Sequence, residues 1–395
     1  MSATTITLFV IGLLFLLGGA DVLIRGASAI ARRLGISPLM VGLTIVSLGT
    51  SAPEVAVSVT SAYHGEADMA LGNVLGSNIF NILAILGSSA LVAPLIVQRQ
   101  LIRFDVPVMI MAALATFLLA LDGTLNALDG TLLLSGLMLY TLLLVRIARR
   151  SADRPPPPAK DASPRWSQRL WVQFSMIVIG LALLVIGSSW LVDGAIIFAR
   201  LLGVSELVIG LTIIAVGTSL PELATSIIAV AKGERDIAVG NAIGSNILNL
   251  LLVLGLTSVV SPTGIPVPQE AIGFDIPVML AVCFACLPSF ITGSKISRWE
   301  GGFFVGYYIA YTLFLVLSSL SDSNLGSFSR AMLWFVIPLT VLVFAFTLVQ
   351  ELVKQKPNAK PSTADADAST SAPAEAPRTE PADAPKSASA DAPKP

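Results

Sequence analysis

The sequence predicts an all-α polytopic membrane protein: two inverted five-helix repeats, ten core transmembrane helices together, plus an eleventh C-terminal helix. Three observations carry this expectation. The 395-residue chain is 54% hydrophobic and 12% charged, with a mean hydropathy of +0.82, whereas a soluble domain holds roughly 25% charged residues. A polar-studded block of 46 residues recurs without a gap. Each copy brings an odd number of spans, so the second enters the membrane upside down relative to the first.

Apolar runs long enough to cross about 30 Å of hydrocarbon lie near 6–23, 39–62, 69–92, 106–121 and 130–147, which make up the first repeat, residues 1–148. No Lys or Arg precedes the first run and no small-x-small site ends it, so it reads as a retained helix and not as a cleaved signal. Residues 149–169, RRSADRPPPPAKDASPRWSQR, are basic and proline-rich and read as a linker that builds no core. Runs near 172–192, 207–231, 237–260, 272–291 and 302–319 make up the second repeat, residues 170–320. A further run at 332–349, within 321–350, has no counterpart in the first half, and residues 351–395 are a low-complexity tail of Ala, Pro, Ser, Asp and Glu that reads as disordered.

The net charge of −1 says little about partners, but the placement of the 24 basic residues sets orientation. With the N-terminus outside, 22 of them fall on the inner side and only Arg200 and Arg330 outside, as the positive-inside rule requires. The tail is then cytoplasmic. Cys283 and Cys286 form a CxxC within an apolar run and read as two small buried residues on one helix face, lacking the partners and solvent access of a redox or metal pair. His64, the sole histidine, lies in a short polar turn and reads as a surface residue.

Residues 42–87, GLTIVSLGTSAPEVAVSVTSAYHGEADMALGNVLGSNIFNILAILG, align with 210–255, GLTIIAVGTSLPELATSIIAVAKGERDIAVGNAIGSNILNLLLVLG, with 25 of 46 positions identical. Chance apolar similarity would not align Gly, Thr, Ser, Pro, Glu and Asn. FDVPVM at 104–109 and FDIPVM at 274–279 extend the duplication. The turn HGEAD becomes KGERD, gaining Lys232 and Arg235 on the side already assigned to the cytoplasm.

Within each block a proline and a glutamate interrupt an apolar helix, in GTSAPE (49–54) and GTSLPE (217–222). Pro53 and Pro221 lack an amide hydrogen and clash with the carbonyl four residues back, so the Gly49 and Gly217 carbonyls lose their helical partners. Freed acceptors at membrane depth are tolerated where protein, water or an ion satisfies them, so both helices are expected to be broken and to line a cavity. Ser47, Thr50, Ser51, Glu54 and Ser58 share one helical face, and Thr218, Ser219, Glu222 and Ser226 repeat it. The next helix of each half adds Asn73, Ser77 and Asn81, or Asn241, Ser245 and Asn249. Asn73 and Asn241 serve equally well as interhelical glue. Asn78 and Asn246, off the stripe, read as caps or bridges. GNVLG and GNAIG are small-xxx-small patterns that allow close backbone approach.

A carboxylate at a helix centre costs about 2.5–3.5 kcal/mol even on the lenient insertion scale. Two facing one cavity repel, so one holds a proton unless a cation is present. These stripes contain no Lys, Arg or His, so the missing positive charge is an ion or a proton. The donors are all oxygen, which suits hard cations, Ca2+ above all, and disfavours Zn2+ or Cu+. Na+ can use subsets of the same oxygens.

At these residues the chain resembles the cation/Ca2+ exchanger superfamily, in particular its bacterial sodium/calcium exchanger branch, over about residues 1–320. The doubled pair GTSAPE with GNVLGSNIFN and GTSLPE with GNAIGSNILN is a highly specific signature. The resemblance implies two long, tilted gating helices, spans one and six, sliding against a fixed ion-binding core. It implies Ca2+ and competing Na+ at Glu54 and Glu222, aided by Thr50 and Thr218, with Ser51, Ser77, Ser219 and Ser245 in flanking Na+ sites. It further implies backbone carbonyls of Ser47 and Ala215 as ligands, and Asn81 and Asn249 completing a central diamond. Some members carry Asp at one of these last two positions, tied in one branch to K+ use; Asn at both argues against K+ cotransport. The short linker has no room for the Ca2+-sensing domains of animal relatives.

The expected function is a secondary antiporter in the plasma membrane, the inner membrane of a bacterium, exchanging Ca2+ for Na+ by alternating access, with net charge movement if a further Na+ accompanies the load. Its partners are these transported ions and the lipid bilayer, with no nucleic acid and no tightly bound cofactor. Ca2+/H+ exchange through the same two acids is the first alternative, and a passive cation channel, which also needs an oxygen-lined path, the second. No nucleophile-and-base pair or cofactor motif suggests an enzyme.

Overall fold

A computed structural model describes residues 3–152, 169–201, 213, 215–291 and 294–319. The interior of the linker, most of the seventh apolar run before Ala215, the eleventh helix expected at 321–350 and the tail 351–395 lie outside the described residues. The first half comprises α1 (Ala3–Leu34), α2 (Pro38–Thr50), α3 (Ala52–Tyr63), α4 (Ala67–Phe80), α5 (Gly87–Val92), α6 (Val106–Ala120) and α7 (Ala127–Ala152). The second comprises α8 (Leu170–Leu201), α9 (Ala215–Thr218), α10 (Leu220–Ala231), α11 (Arg235–Leu248), α12 (Leu254–Val260), α13 (Ile276–Ile291) and α14 (Arg298–Ser319). Among the described residues, seven helices are long and apolar enough to cross a membrane, and an eighth is the bent pair α2–α3. The protein is an all-α integral membrane protein.

Wide π-helical turns link α4 to α5 (Asn81–Leu86) and α11 to α12 (Asn249–Val253), and precede α6 (Leu101–Asp105) and α13 (Ala271–Asp275). They recur in both halves at equivalent places. The apolar pattern did not signal them, because a one-residue widening barely alters helical periodicity.

Helices α1 and α8 run well past the apolar runs at 6–23 and 172–192. Residues 24–34 are a good helical sequence with Arg25, Arg32 and Arg33, and nothing stops it before Gly35, whose φ of +66° starts the reversal. There the Ile36 N–H reaches back to the Ala31 carbonyl at 3.1 Å, the bond of a Schellman cap. The basic final turn also suits the negative end of the helix dipole.

The two long helices cross on glycine. A Cβ on Gly12 would lie 2.9 Å from the Gly187 carbonyl oxygen, and one on Gly19 2.8 Å from that of Gly180. Backbone thus meets backbone, as small residues permit in membranes where lipid tails offer no hydrophobic drive. Burial then sorts the spans: 78% of the window spanning α4–α5, and likewise of that spanning α11–α12, is buried, against 28% for α1 and α8 and 17% for α7 and α14. The polar-studded helices form the centre, and the uniformly apolar ones face outward.

Four two-residue strands tie the halves at their ends. Antiparallel β1 (Leu95–Ile96) pairs with β4 (Lys295–Ile296), and β2 (Thr124–Leu125) with β3 (Ile265–Pro266). Strands this short carry no readable alternation, so the sequence did not predict them.

Candidate ion-binding site

The site is built where two helices break. Ser51 (φ −80°, ψ 4°) and Ser219 (φ −94°, ψ 9°) leave helical geometry, and α3 and α10 restart with a proline at their first or second position. Pro53 and Pro221 suit that place, where a missing amide hydrogen costs nothing. The axes of α2 and α3 differ by 42° at the break, as expected from the proline and the freed carbonyls. Glu54 and Glu222 stand in the first turns of the restarted helices, both completely buried.

Ser51 and Ser219 occupy N-cap positions, where a serine hydroxyl ordinarily bonds the amide of the next turn. Neither does so. Ser51 instead donates across the molecule to Glu222 Oε1 at 3.2 Å, and Ser219 donates to Glu54 Oε1 at 3.0 Å. Ser77 Oγ lies 3.0 Å from Ser219 Oγ. Each serine forgoes a cap worth about 1 kcal/mol and reaches the opposite half's carboxylate, a local rule broken where the two halves meet.

The threonines are crossed in the same way. Thr50 Oγ1 donates to Asn241 Oδ1 at 3.1 Å and Thr218 Oγ1 to Asn73 Oδ1 at 3.0 Å. Asn73 Nδ2 donates to Ser58 Oγ (2.9 Å), and Asn241 Nδ2 to Ser226 Oγ (3.1 Å) and the Glu222 backbone carbonyl (3.3 Å). Glycines let these helices approach: a Cβ on Gly240 would come within 2.7 Å of the Leu39 carbonyl oxygen. Asn246 bridges helices by donating to the Asn78 carbonyl, while Asn78 bonds Val74 of its own helix.

The elements that carry the remaining expected oxygens pack against the helices of the two glutamates and their neighbours. Ser47, Thr50, Ser77, Ser245, Asn81 and Asn249 are all buried to within 1% of completeness, while Thr218 is half-buried and Ala215 opens α9. The Ser47 carbonyl already receives the Ser51 N–H at 2.9 Å, leaving one lone pair. Asn81 and Asn249 each open a π-helical turn, a device that recurs at functional sites. Ser245 and Thr50 lie beside the Glu222 carboxylate.

Glu54 Oε2, Glu222 Oε2, Ser245 Oγ and both carboxamide atoms of Asn81 and Asn249 have no hydrogen-bond partner among the described residues. Buried polar atoms are almost always paired, so an orphaned oxygen on each of two mutually repelling carboxylates, with Ser245 beside Glu222, needs positive charge. None of the ion pairs among the described residues involves either glutamate. With two acids and otherwise neutral oxygens, the donor set fits a hard cation. Cys283 and Cys286 are buried free thiols elsewhere, on α13, and His64 is exposed.

Comparison with known proteins agrees with this chemistry. A family described as sodium/calcium exchanger protein matches residues 4–146 and 172–317. The chain is 43% identical over 328 residues to the putative antiporter CaxA of Alkalimonas amylolytica, covering 79% of this chain and 99% of that one. It is 32% identical to the sodium/calcium exchanger MaX1 of Methanosarcina acetivorans, covering 80% and 99%. Among solved structures, the sodium-calcium exchanger NCX_Mj soaked with Na+ and Ca2+ superposes with a TM-score of 0.67 at 30% identity, over 78% of this chain and 97% of that one. The chain is a member of the sodium/calcium exchanger family, in the bacterial branch of the cation/Ca2+ exchanger superfamily, and is a multi-pass membrane antiporter that exchanges Ca2+ for another cation.

Proposed function

We propose that the protein exchanges Ca2+ for Na+ across the plasma membrane by alternating access, with Glu54 and Glu222 as the shared charge. The observation that carries this reading is the pair of fully buried carboxylates, each with one oxygen held by a serine of the other half and the other oxygen unpartnered among the described residues. One Ca2+ neutralises two carboxylates, and so do two Na+; the competition of the two loads for one set of acids is the basis of coupling. Thr50, Thr218, Ser77, Ser245, Asn81, Asn249 and the carbonyls of Ser47 and Ala215 supply the neutral oxygens. A third Na+ accompanying the load makes each cycle carry one net charge, worth about 2.3 kcal/mol per 100 mV.

Ten core helices form two inverted halves, with the N-terminus outside and the tail in the cytoplasm. Crossed bonds of equal kind at the site and crossed strand pairs at the ends support that two-fold plan. In inverted-repeat transporters access alternates when one bundle rocks or slides against the rest around a fixed midplane site. The glycine-seamed pair α1 and α8 serves as that moving bundle here, while α4, α5, α11 and α12 form the fixed core.

Uptake of radiolabelled Ca2+ into Na+-loaded proteoliposomes, with pH clamped on both sides, tests the reading. Uptake that requires the outward Na+ gradient and is lost in Glu54→Gln is the expected result. Uptake indifferent to Na+ but driven by a pH gradient refutes Na+ coupling and assigns protons to the same two acids.

A further inference from the structure

Resting on the Ca2+-exchanger reading of this site, we propose that Asn241 and Asn73 are positioning residues that take up the hydroxyl protons of Thr50 and Thr218, so that both threonines turn only lone pairs toward the ion. The orientation of Asn241 follows from chemistry. Its Nδ2 lies 3.3 Å from the Glu222 backbone carbonyl, which can only accept, so that atom must be the amide nitrogen. The atom turned to Thr50 is then Oδ1, itself only an acceptor, and at 3.1 Å the threonine must donate to it. Asn241 is completely buried, so no bulk water competes for either bond.

The Thr50 proton has two other acceptors nearby. The Ser47 carbonyl is 3.4 Å away, and the Glu222 carboxylate lies beside the same hydroxyl. A proton given to either would occupy an oxygen the cation needs. Asn241, at 3.1 Å a closer partner than the Ser47 carbonyl, draws it away from both. In the other half Asn73 Oδ1 receives the Thr218 proton at 3.0 Å, while its Nδ2 is turned away to Ser58. The cage therefore contains two kinds of hydroxyl. Ser51 and Ser219 give their protons to the carboxylates, and Thr50 and Thr218 are kept as acceptors by carboxamides of the opposite half.

Ca2+/Ca2+ self-exchange in proteoliposomes tests this independently of the coupling ion. Initial rates against Ca2+ concentration are compared for the wild type, Asn241→Ala, Thr50→Val and the double variant, with thermal unfolding recorded for each. Asn241→Ala is expected to raise the KM for Ca2+ about tenfold, the equivalent of one lost hydrogen bond, with the effect falling on KM more than on the maximal rate. Adding Asn241→Ala to Thr50→Val is expected to raise KM no further, because the proton that Asn241 controls is already gone. An unchanged KM in the single variant, or additive effects in the double, overturns the proposal and leaves Asn241 as helix glue. Should Asn241→Ala fail to fold, the mirror cycle of Asn73→Ala and Thr218→Val decides by the same criteria. Absence of Ca2+ flux in the wild type is a separate result, which removes the exchanger reading itself and this proposal with it.

Discussion

Gly18 and Gly19 are neighbours in α1, yet the structure assigns them opposite roles. A Cβ on Gly18 meets nothing within 4 Å, while one on Gly19 would come within 2.8 Å of the Gly180 carbonyl oxygen, 2.9 Å of Leu183 Cβ and 2.9 Å of the Leu184 nitrogen. Ordinary contact begins near 3.4 Å, so Gly19→Ala must push α1 from α8 along a seam that Gly12 and Gly187 also hold closed. Overpacking of this kind costs about 1–3 kcal/mol. Both alanines gain the same helical propensity, about 0.5–1 kcal/mol, so the difference between the two variants isolates the crossing. At about 2 °C per kcal/mol for a large domain, Gly19→Ala should unfold about 2–6 °C below Gly18→Ala, with Gly18→Ala at or above the wild type. Tryptophan fluorescence during heating in detergent reads this directly. Equal midpoints would refute the backbone-on-backbone seam.

Glu222→Gln keeps the shape of the cage and halves its charge, so Ca2+ transport should fall below detection while monodispersity in detergent is retained. Ser219→Ala removes the donor to Glu54 and the neighbour of Ser77; a loss of about 1.5–3 kcal/mol, typical of hydrogen bonds to charged groups, predicts a tenfold or greater rise in the KM for the transported ion. If one net charge moves per cycle, a potential of 100 mV set by valinomycin should change the limiting Ca2+ ratio by about fiftyfold, from about 2.3 kcal/mol per charge; no dependence on potential would establish an electroneutral cycle, two monovalent cations per Ca2+. Lys232, in the turn before α11, bonds the Asp21 carboxylate and backbone of α1, with Arg25 on the same acid. These groups are partly exposed, so Asp21→Asn should lower stability by under about 1 kcal/mol, and less in high salt.

The repeat, the broken helices and the oxygen-only character of the site were legible because Gly, Pro, Glu and Asn are costly in apolar helices and stand out against them. Which half each side chain serves was not legible. Helical spacing put Ser51 and Glu54 on one face, but Ser51 bonds Glu222, a partner that only packing between the halves reveals. Asn73 and Asn241 were equally compatible with glue and with the site, and they bond across the halves at its edge. The π-helical turns at Asn81 and Asn249 were missed because the apolar pattern continues through them. The lengths of α1 and α8 were underestimated for a different reason: hydropathy marks where lipid ends, whereas the helices continue past it, α1 to the glycine stop at Gly35 and α8 to Leu201.

The crossing of serines onto opposite carboxylates has a consequence for how such a chain can change. Ser51 answers to a glutamate 171 positions away, and Ser219 to one 165 positions away. Had each copy kept a private site after the gene doubled, one copy could have decayed while the other carried on. Here a hydroxyl lost from either copy leaves its sister's carboxylate without a donor, so neither can drift alone. Either half expressed by itself would hold its glutamate without the serine that serves it. The two copies are bound to a common inheritance, and the block that holds these residues has stayed alike at 25 of 46 positions.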